Sequence, residues 1–203
     1  MEKKKIIVVK IGSSVLFTNR ERLDEFRVSH LLDQMRTLQE HGYFVIFVIS
    51  GAVVMGSARI THAKGQVRAG VGQALLTARL VALFSQKKLI IAQILLTRKD
   101  IEIHSEQLVH TLGEMMKEGI VPILNENDAV ELNSFGGNDL LASRLAEIMR
   151  ARLVILSTWE KNQFGVGGGA TKLAAVERLK KVGIAASIRD GKEHNCLLKG
   201  ELI

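Results

Sequence analysis

The chain has one cysteine, Cys196, and one proline, Pro122, in 203 residues. A lone thiol closes no internal disulfide and rules out a multi-cysteine metal site, so a reducing compartment, the cytoplasm, is expected. A single proline leaves no proline-rich linker to mark a domain boundary, and neither an internal repeat nor a low-complexity tract takes its place. Aromatic residues are scarce at 4%. No RNA- or DNA-binding motif accompanies them, so nucleic acid is not expected as a partner despite a net charge of +7. A solvated face and a site that attracts anions account for that charge. No run reaches the roughly 18 uninterrupted apolar residues of a membrane span. The opening MEKKKIIVVKIGSSVLF has a basic start and an apolar run. However, Lys10 interrupts the run, no small-residue cleavage site follows, and β-branched residues dominate. A core strand is therefore predicted there rather than a signal peptide, with Lys3, Lys4 and Lys5 as a soluble lead-in. The six histidines show no HExxH or paired ligand spacing, and no protein metal site is predicted. GxxxxGK[ST] is absent, and no GxGxxG follows the first apolar run.

What is present is a core. At 47% apolar, the chain can fill one large domain or two closely joined lobes. Short apolar runs, KIIVVKIG (5–12), YFVIFVIS (43–50), LIIAQILL (89–96), GIVPIL (119–124), RLVILST (152–158) and GIAASI (183–188), alternate with longer periodic segments. Those segments cover about 27–41, 68–87, 104–118, 138–150 and 170–182. Strands apolar on both faces, each followed by a helix, predict a mainly parallel sheet covered on both sides, with right-handed crossovers. Gly42, Gly119 and Gly183 read as helix stops, and Asn138-Asp139 as a cap for LLASRLAEIMR.

Ligands of open α/β sheets gather at the carboxyl ends of the strands. Here those ends read KIGSS, ISGA, LLTRKD, NENDAV and LSTWE, followed by the glycine cluster GVGGGATKL. Lys10 lies inside an apolar strand, where an unpaired ammonium is costly. With Gly12 and Ser13 beside it, it is suited to meet a phosphate. Ser50, Gly51 and Ala52 repeat the small-residue turn at the second strand. Asp128 and Asn138 offer a carboxylate and an amide to the ammonium and carboxylate of an amino acid, and Asp139 can hold cationic side chains. The glycines from Gly165 run into a helix at about Ala170, which aims free N–H groups and a positive dipole at an anion. Lys172 adds a full charge in that first turn. Two lysines on separate elements suit phosphoryl transfer, whose catalysis is mainly positioning and charge stabilisation.

The ordered series VVKIGSSVL, VISGAVVMG, GVGQALL, AQILLTRKD, GIVPILNENDAV, FGGNDLLASRLA, VILST and GVGGGATKLAAV resembles the glutamate 5-kinases of the amino acid kinase family across nearly the whole chain. The resemblance implies the family's open α/β/α sandwich, with a glutamate lobe over about 1–150 and a nucleotide lobe over about 151–203. It implies ATP-dependent phosphorylation of the L-glutamate side-chain carboxylate. Lys10, Lys172 and Asp139 would be catalytic, and Ser50, Gly51, Ala52, Asp128 and Asn138 would bind glutamate. Nucleotide would fall to Lys10, Gly12, Ser13, Thr158, Trp159, Gly165, Val166, Gly167, Gly168, Gly169, Ala170, Thr171 and Lys172. Magnesium would arrive with ATP, held by phosphates and water. Feedback by proline and a homo-oligomer are usual in the family.

Three departures stand out. Trp159 takes the place of a usual aspartate, and Gly137 replaces an acidic residue of the GDND pattern. Only Glu160 to Phe164 separate the fifth strand from the glycine loop, where the family has some tens of residues. Six residues span about 20 Å when extended and bridge the gap, but they cannot also wall the adenine ring. A non-catalytic glutamate- or proline-binding member is the competing reading.

Overall fold

The computed structural model describes residues 5–19, 22–158 and 169–199. In chain order the elements are β1 (Lys5–Ile11), α1 (Ser13–Leu16), α2 (Glu25–Glu40), β2 (Tyr43–Ile49), α3 (Ala52–Ser57), α4 (Gly65–Gln86) and β3 (Ile90–Leu96). There follow α5 (Arg98–Lys117), β4 (Ile120–Glu126), α6 (Asn138–Met149), β5 (Arg152–Ser157), α7 (Gly169–Lys181) and β6 (Ala186–Asp190). The six strands form one sheet in the order β3-β4-β2-β1-β5-β6, every pairing parallel, with β1 flanked by β2 and β5. Side chains alternate across a strand, so the apolar residues of β1 divide between two cores. Ile7, Val9 and Ile11 pack with α2 and α4 on one face, and Val8 packs with α5, α6 and α7 on the other. Lys10 shares the parity of Val8, so the same alternation aims it at α6.

Most predicted elements are present, and their ends differ in instructive ways. α5 begins at Arg98, six residues before the predicted start, because Thr97 and Asp100 form a reciprocal capping box there. The helix bends at His104, whose backbone is not helical. β4 runs on to Glu126, so Asn125 and Glu126 belong to the strand rather than to the turn after it. Gly42, Gly119 and Gly183 all adopt positive φ just past helix ends, as the stop reading requires. Asn138 and Asp139 do not cap α6. Gly137 is its N-cap, with φ +117 and no side-chain cap bond, and the two polar side chains turn inward from the first helical turn.

The short helix α3, which has no periodic signature long enough to read, crosses α4 with backbones in contact. A Cβ on Gly72 would lie 1.8 Å from the Ala52 carbonyl oxygen, and one on Gly56 equally close to that of Arg68. Only glycine permits that approach. It holds Ala52, the first residue of α3, directly against α4. α4 is also the one described helix long and apolar enough, by length and composition, to cross a bilayer. Its Leu76, Leu80, Leu83 and Phe84 are spent in the core.

Candidate active site

Four strand ends lie side by side, and each delivers a different chemical group. From the end of β4 come Asn125 and Glu126, from β2 Ser50, from β1 Lys10 and Gly12, and from β5 Thr158. Parity sends Asn125 toward α4 and Glu126 toward α6.

The charged centre is Asp139. Lys10 Nζ lies 2.6 Å from its Oδ1 and Lys172 Nζ lies 3.6 Å from its Oδ2. The Thr171 hydroxyl donates to Oδ2 over 2.9 Å. The Asp139 side chain is 2% exposed and that of Lys10 7%, against 14% for Lys172. Burial holds the Lys10 ammonium below its ordinary pKa and Asp139 pulls it back up, while Lys172 adds repulsion. One carboxylate thus gathers two cations from opposite ends of the chain. Gly12 sits beside them with its N–H donated to Leu156, and a Cβ there would come within 3.2 Å of that carbonyl oxygen. The residue leads straight into α1, whose first residue is the buried Ser13.

The neighbouring side chains, at the end of β4, are amides and carboxyls. Asn138 Nδ2 donates to Asn125 Oδ1 over 2.8 Å, and Asn125 Nδ2 donates to Gln73 Oε1 over 2.7 Å. The Glu126 N–H donates to the side-chain oxygens of both Asn125 and Asn138. Each amide orientation in this chain is therefore set by a partner. The Asp128 carboxylate accepts the Asn133 N–H over 2.8 Å, and its burial lifts its pKa above the ordinary value. Gly51 has φ +118, and a Cβ there would run into the Phe17 ring, so this turn demands glycine.

Contacts therefore join Lys10, Asp139, Thr171 and Lys172, with Gly12 and Ser13 directly after β1 and Asn138 adjacent to Asp139, while Ser50, Gly51 and Ala52 follow β2 and Asp128 follows β4 at the same edge of the sheet. Gly169 and Ala170 open α7 as expected. Thr171, assigned to nucleotide by resemblance, also has its hydroxyl on Asp139. Trp159, Gly165, Val166, Gly167 and Gly168 lie outside the described residues. Sequence reasoning missed Gln73, Arg98, Asn125 and Glu126. The available signal was a pair of polar residues ending an otherwise apolar strand, which reads as a turn until the strand's length is known. Among the described residues, no group of three or more His, Cys, Asp or Glu side chains converges on a metal-sized position.

The amino acid kinase family model matches residues 5–160. This chain belongs to the amino acid kinase family. Two relatives carry the match through most of the chain. The glutamate 5-kinase of Syntrophus aciditrophicus is 33% identical over 96% of this chain and 62% of its own length. That of Clostridium acetobutylicum is 30% identical over 94% of the chain and 88% of its own length. The chain thus spans less than two thirds of the Syntrophus protein. The crystal structure of UMP kinase from Ureaplasma parvum superimposes with a TM-score of 0.62 at 13% identity, covering 97% of this chain and 94% of that one. It shares the fold. The Syntrophus alignment runs over 239 positions but uses 96% of 203 residues, about 195, so about 44 positions face gaps in this chain. The family match ends at residue 160, two residues after the last described position before α7.

Proposed function

We propose that this amino acid kinase transfers the γ-phosphoryl group of ATP to the side-chain carboxylate of L-glutamate, yielding glutamyl 5-phosphate and ADP, the first step of proline synthesis. The single observation that carries the reading is Asp139 shared between Lys10 and Lys172 at the carboxyl end of the sheet. In this transfer the bond from the γ-phosphorus to the bridging oxygen breaks, and one from the phosphorus to a glutamate carboxylate oxygen forms. A carboxylate with an ordinary pKa near 4.3 is already ionised at neutral pH, so no general base is required. What the reaction needs is charge around the equatorial oxygens, and two lysines held in place before substrate arrives provide it. Asp139 keeps the two ammonium groups from driving each other apart.

Ser50, Gly51, Ala52, Asp128 and Asn138 would hold glutamate, with Asp128 on its ammonium and the Asn138 amide on its α-carboxylate. Lys10, Gly12, Ser13, Thr158, Trp159 and residues 165–172 would face the nucleotide. Residues 1–150 would then serve the acceptor and 151–203 the donor. Magnesium fits as an escort of the triphosphate. Both Asp139 oxygens are engaged by cations, so phosphate oxygens and water would be its ligands. Proline as a feedback inhibitor, a homo-oligomer and a cytoplasmic location belong to the same reading. A hydroxylamine trap with ATP and L-glutamate tests it: glutamyl hydroxamate accumulates in the native protein and is lost in Lys10→Ala.

Trp159, and the short sequence Glu160–Phe164 before the glycine cluster, favour one alternative, a member that binds glutamate or proline without turnover. Calorimetric binding of glutamate with no hydroxamate and no ADP would establish that instead.

A further inference from the structure

The stretch between β4 and α6, residues 127–137, carries Asp128 and delivers Asn138 and Asp139, yet it has no regular secondary structure of its own. Two side chains of opposite charge grip its last residues. Arg98, at the start of α5, donates from Nε to the Ser134 carbonyl over 3.0 Å and from Nη2 to the Phe135 carbonyl over 3.1 Å. Its own N–H reaches Ser134 Oγ. On the other side Glu126 Oε2 accepts the Phe135 N–H over 3.2 Å, and the Gly137 N–H faces the same carboxylate. The cation holds the carbonyls of this segment and the anion holds its amides. Gly136 and Gly137 both adopt positive φ, so the backbone turns its N–H groups toward Glu126 immediately before α6 starts. Glu126 is 3% exposed, and the hydrogen bonds its carboxylate accepts come from backbone N–H groups.

We infer that Glu126 is a positioning residue for the acceptor site: its carboxylate fixes the Phe135–Gly137 turn and thereby the direction in which Asn138 and Asp139 leave it. The inference rests on the glutamate reading for its substrate, but the turn it describes exists without one. A charged acceptor binds N–H groups more strongly than a neutral one. The grip therefore depends on ionisation, and burial pushes the Glu126 carboxyl up to about 7. The groups facing it are Asp128 on the following turn, which raises it further, Arg98 on α5, which lowers it, and Lys10 on β1, whose ammonium lies within its field. Glu126 becomes neutral as the pH falls through 7, and the turn loosens.

Glu126→Gln keeps the shape and removes the charge. Amide hydrogen exchange of residues 127–137, corrected for intrinsic rate, and calorimetric titration with L-glutamate are followed together between pH 6 and 8. In the native protein the segment is protected at pH 8 and less so at pH 6. Glutamate binds about tenfold more weakly at pH 6, in proportion to the ionised fraction. In Glu126→Gln protection is low at both pH values, and affinity is weak and flat. Protection and a pH profile identical to the native protein's in this variant overturn the inference. If neither protein binds glutamate but the exchange difference persists, the substrate reading falls and the positioning role stands. If Glu126→Gln does not give a cooperative melt, Glu126→Asp decides. Its retracted charge must weaken glutamate binding at pH 8 without altering nucleotide binding, and unchanged glutamate affinity overturns the inference.

Discussion

The ends of β4 and β1 are built on opposite plans. At β4 each polar group is matched to its own hydrogen-bonding partner: Gln73 to Asn125, Asn125 to Asn138, Glu126 to the N–H groups of Phe135 and Gly137. At β1 the structure concentrates charge instead, two ammonium groups on one carboxylate. A hydrogen-bonded chain defines shape, which an amino-acid acceptor requires. A buried cluster with one more cation than anion defines potential, which a transferring phosphoryl group requires. Asp139 and Asn138, adjacent at the start of α6, join the two plans: one side chain faces the charge, the other the amide chain. Substitutions at the two ends should accordingly fail in different ways.

The largest effects belong to the charged end. Lys10→Ala and Lys172→Ala should each lower turnover about a hundredfold or more, the scale of losing a preorganised charge, about 2.7–4 kcal/mol. The double variant should fall short of additivity, because both charges act on one group. Asp139→Ala should also destabilise the fold by about 3–5 kcal/mol in urea titration, since it strands the Lys10 ammonium in the core. A variant at either lysine with near-native hydroxamate yield would remove that residue from the mechanism.

Next comes the pH dependence at the acceptor end. The folded protein holds the Glu126 pKa at about 7, above its ordinary 4.5. The folded state therefore binds this proton more tightly than the unfolded chain does. Stability from this group is complete at low pH and is lost as the pH rises from 4.5 through 7, by roughly 3 kcal/mol at most. Thermal melts of the native protein and Glu126→Gln should diverge across that window, the variant becoming relatively more stable as the pH rises. A more stable protein that binds glutamate less well would separate positioning from packing.

Asp128→Ala should raise KM for glutamate by about tenfold, the scale of a lost charge-assisted hydrogen bond, with KM for ATP little changed. Equal weakening of both substrates would erase the distinction between the two ends at this residue. The smallest effect lies outside both. Thr97→Ala removes the α5 cap and should cost about 1 kcal/mol in denaturant, with kinetic constants following only through Arg98.

Much of this was legible in the residues. Lys10 inside an apolar strand, Gly51 after another and the GGND turn each announce something costly that needs a reason, and the structure supplies one in each case. The capping reading of Asn138-Asp139 failed because an Asn-Asp pair looks the same whether it accepts the N–H groups of its own helix or turns inward. Glu126 and Asn125 went unread for a similar reason: a carboxylate and an amide beside Asn127 and Asp128 look like one polar turn.

The order of strands and helices, the parallel sheet and the strand ends where chemistry collects are legible in the residues alone. Periodicity and two-faced hydrophobicity are properties of neighbouring residues, and each segment carries its own. That Asp139 meets Lys10 and Lys172, that Asn125 reaches across to Gln73 on α4, and that Glu126 holds the turn before α6 emerges only once the chain is packed. Lys10, Asp139 and Lys172 lie far apart in the chain, as do Asn125 and Gln73, and Glu126 reaches past a whole irregular segment. Which of them meet depends on strand order, on the parity that aims each side chain and on the glycine crossing that lets α3 and α4 touch. The energy of a buried polar group is set by the partner that arrives from elsewhere.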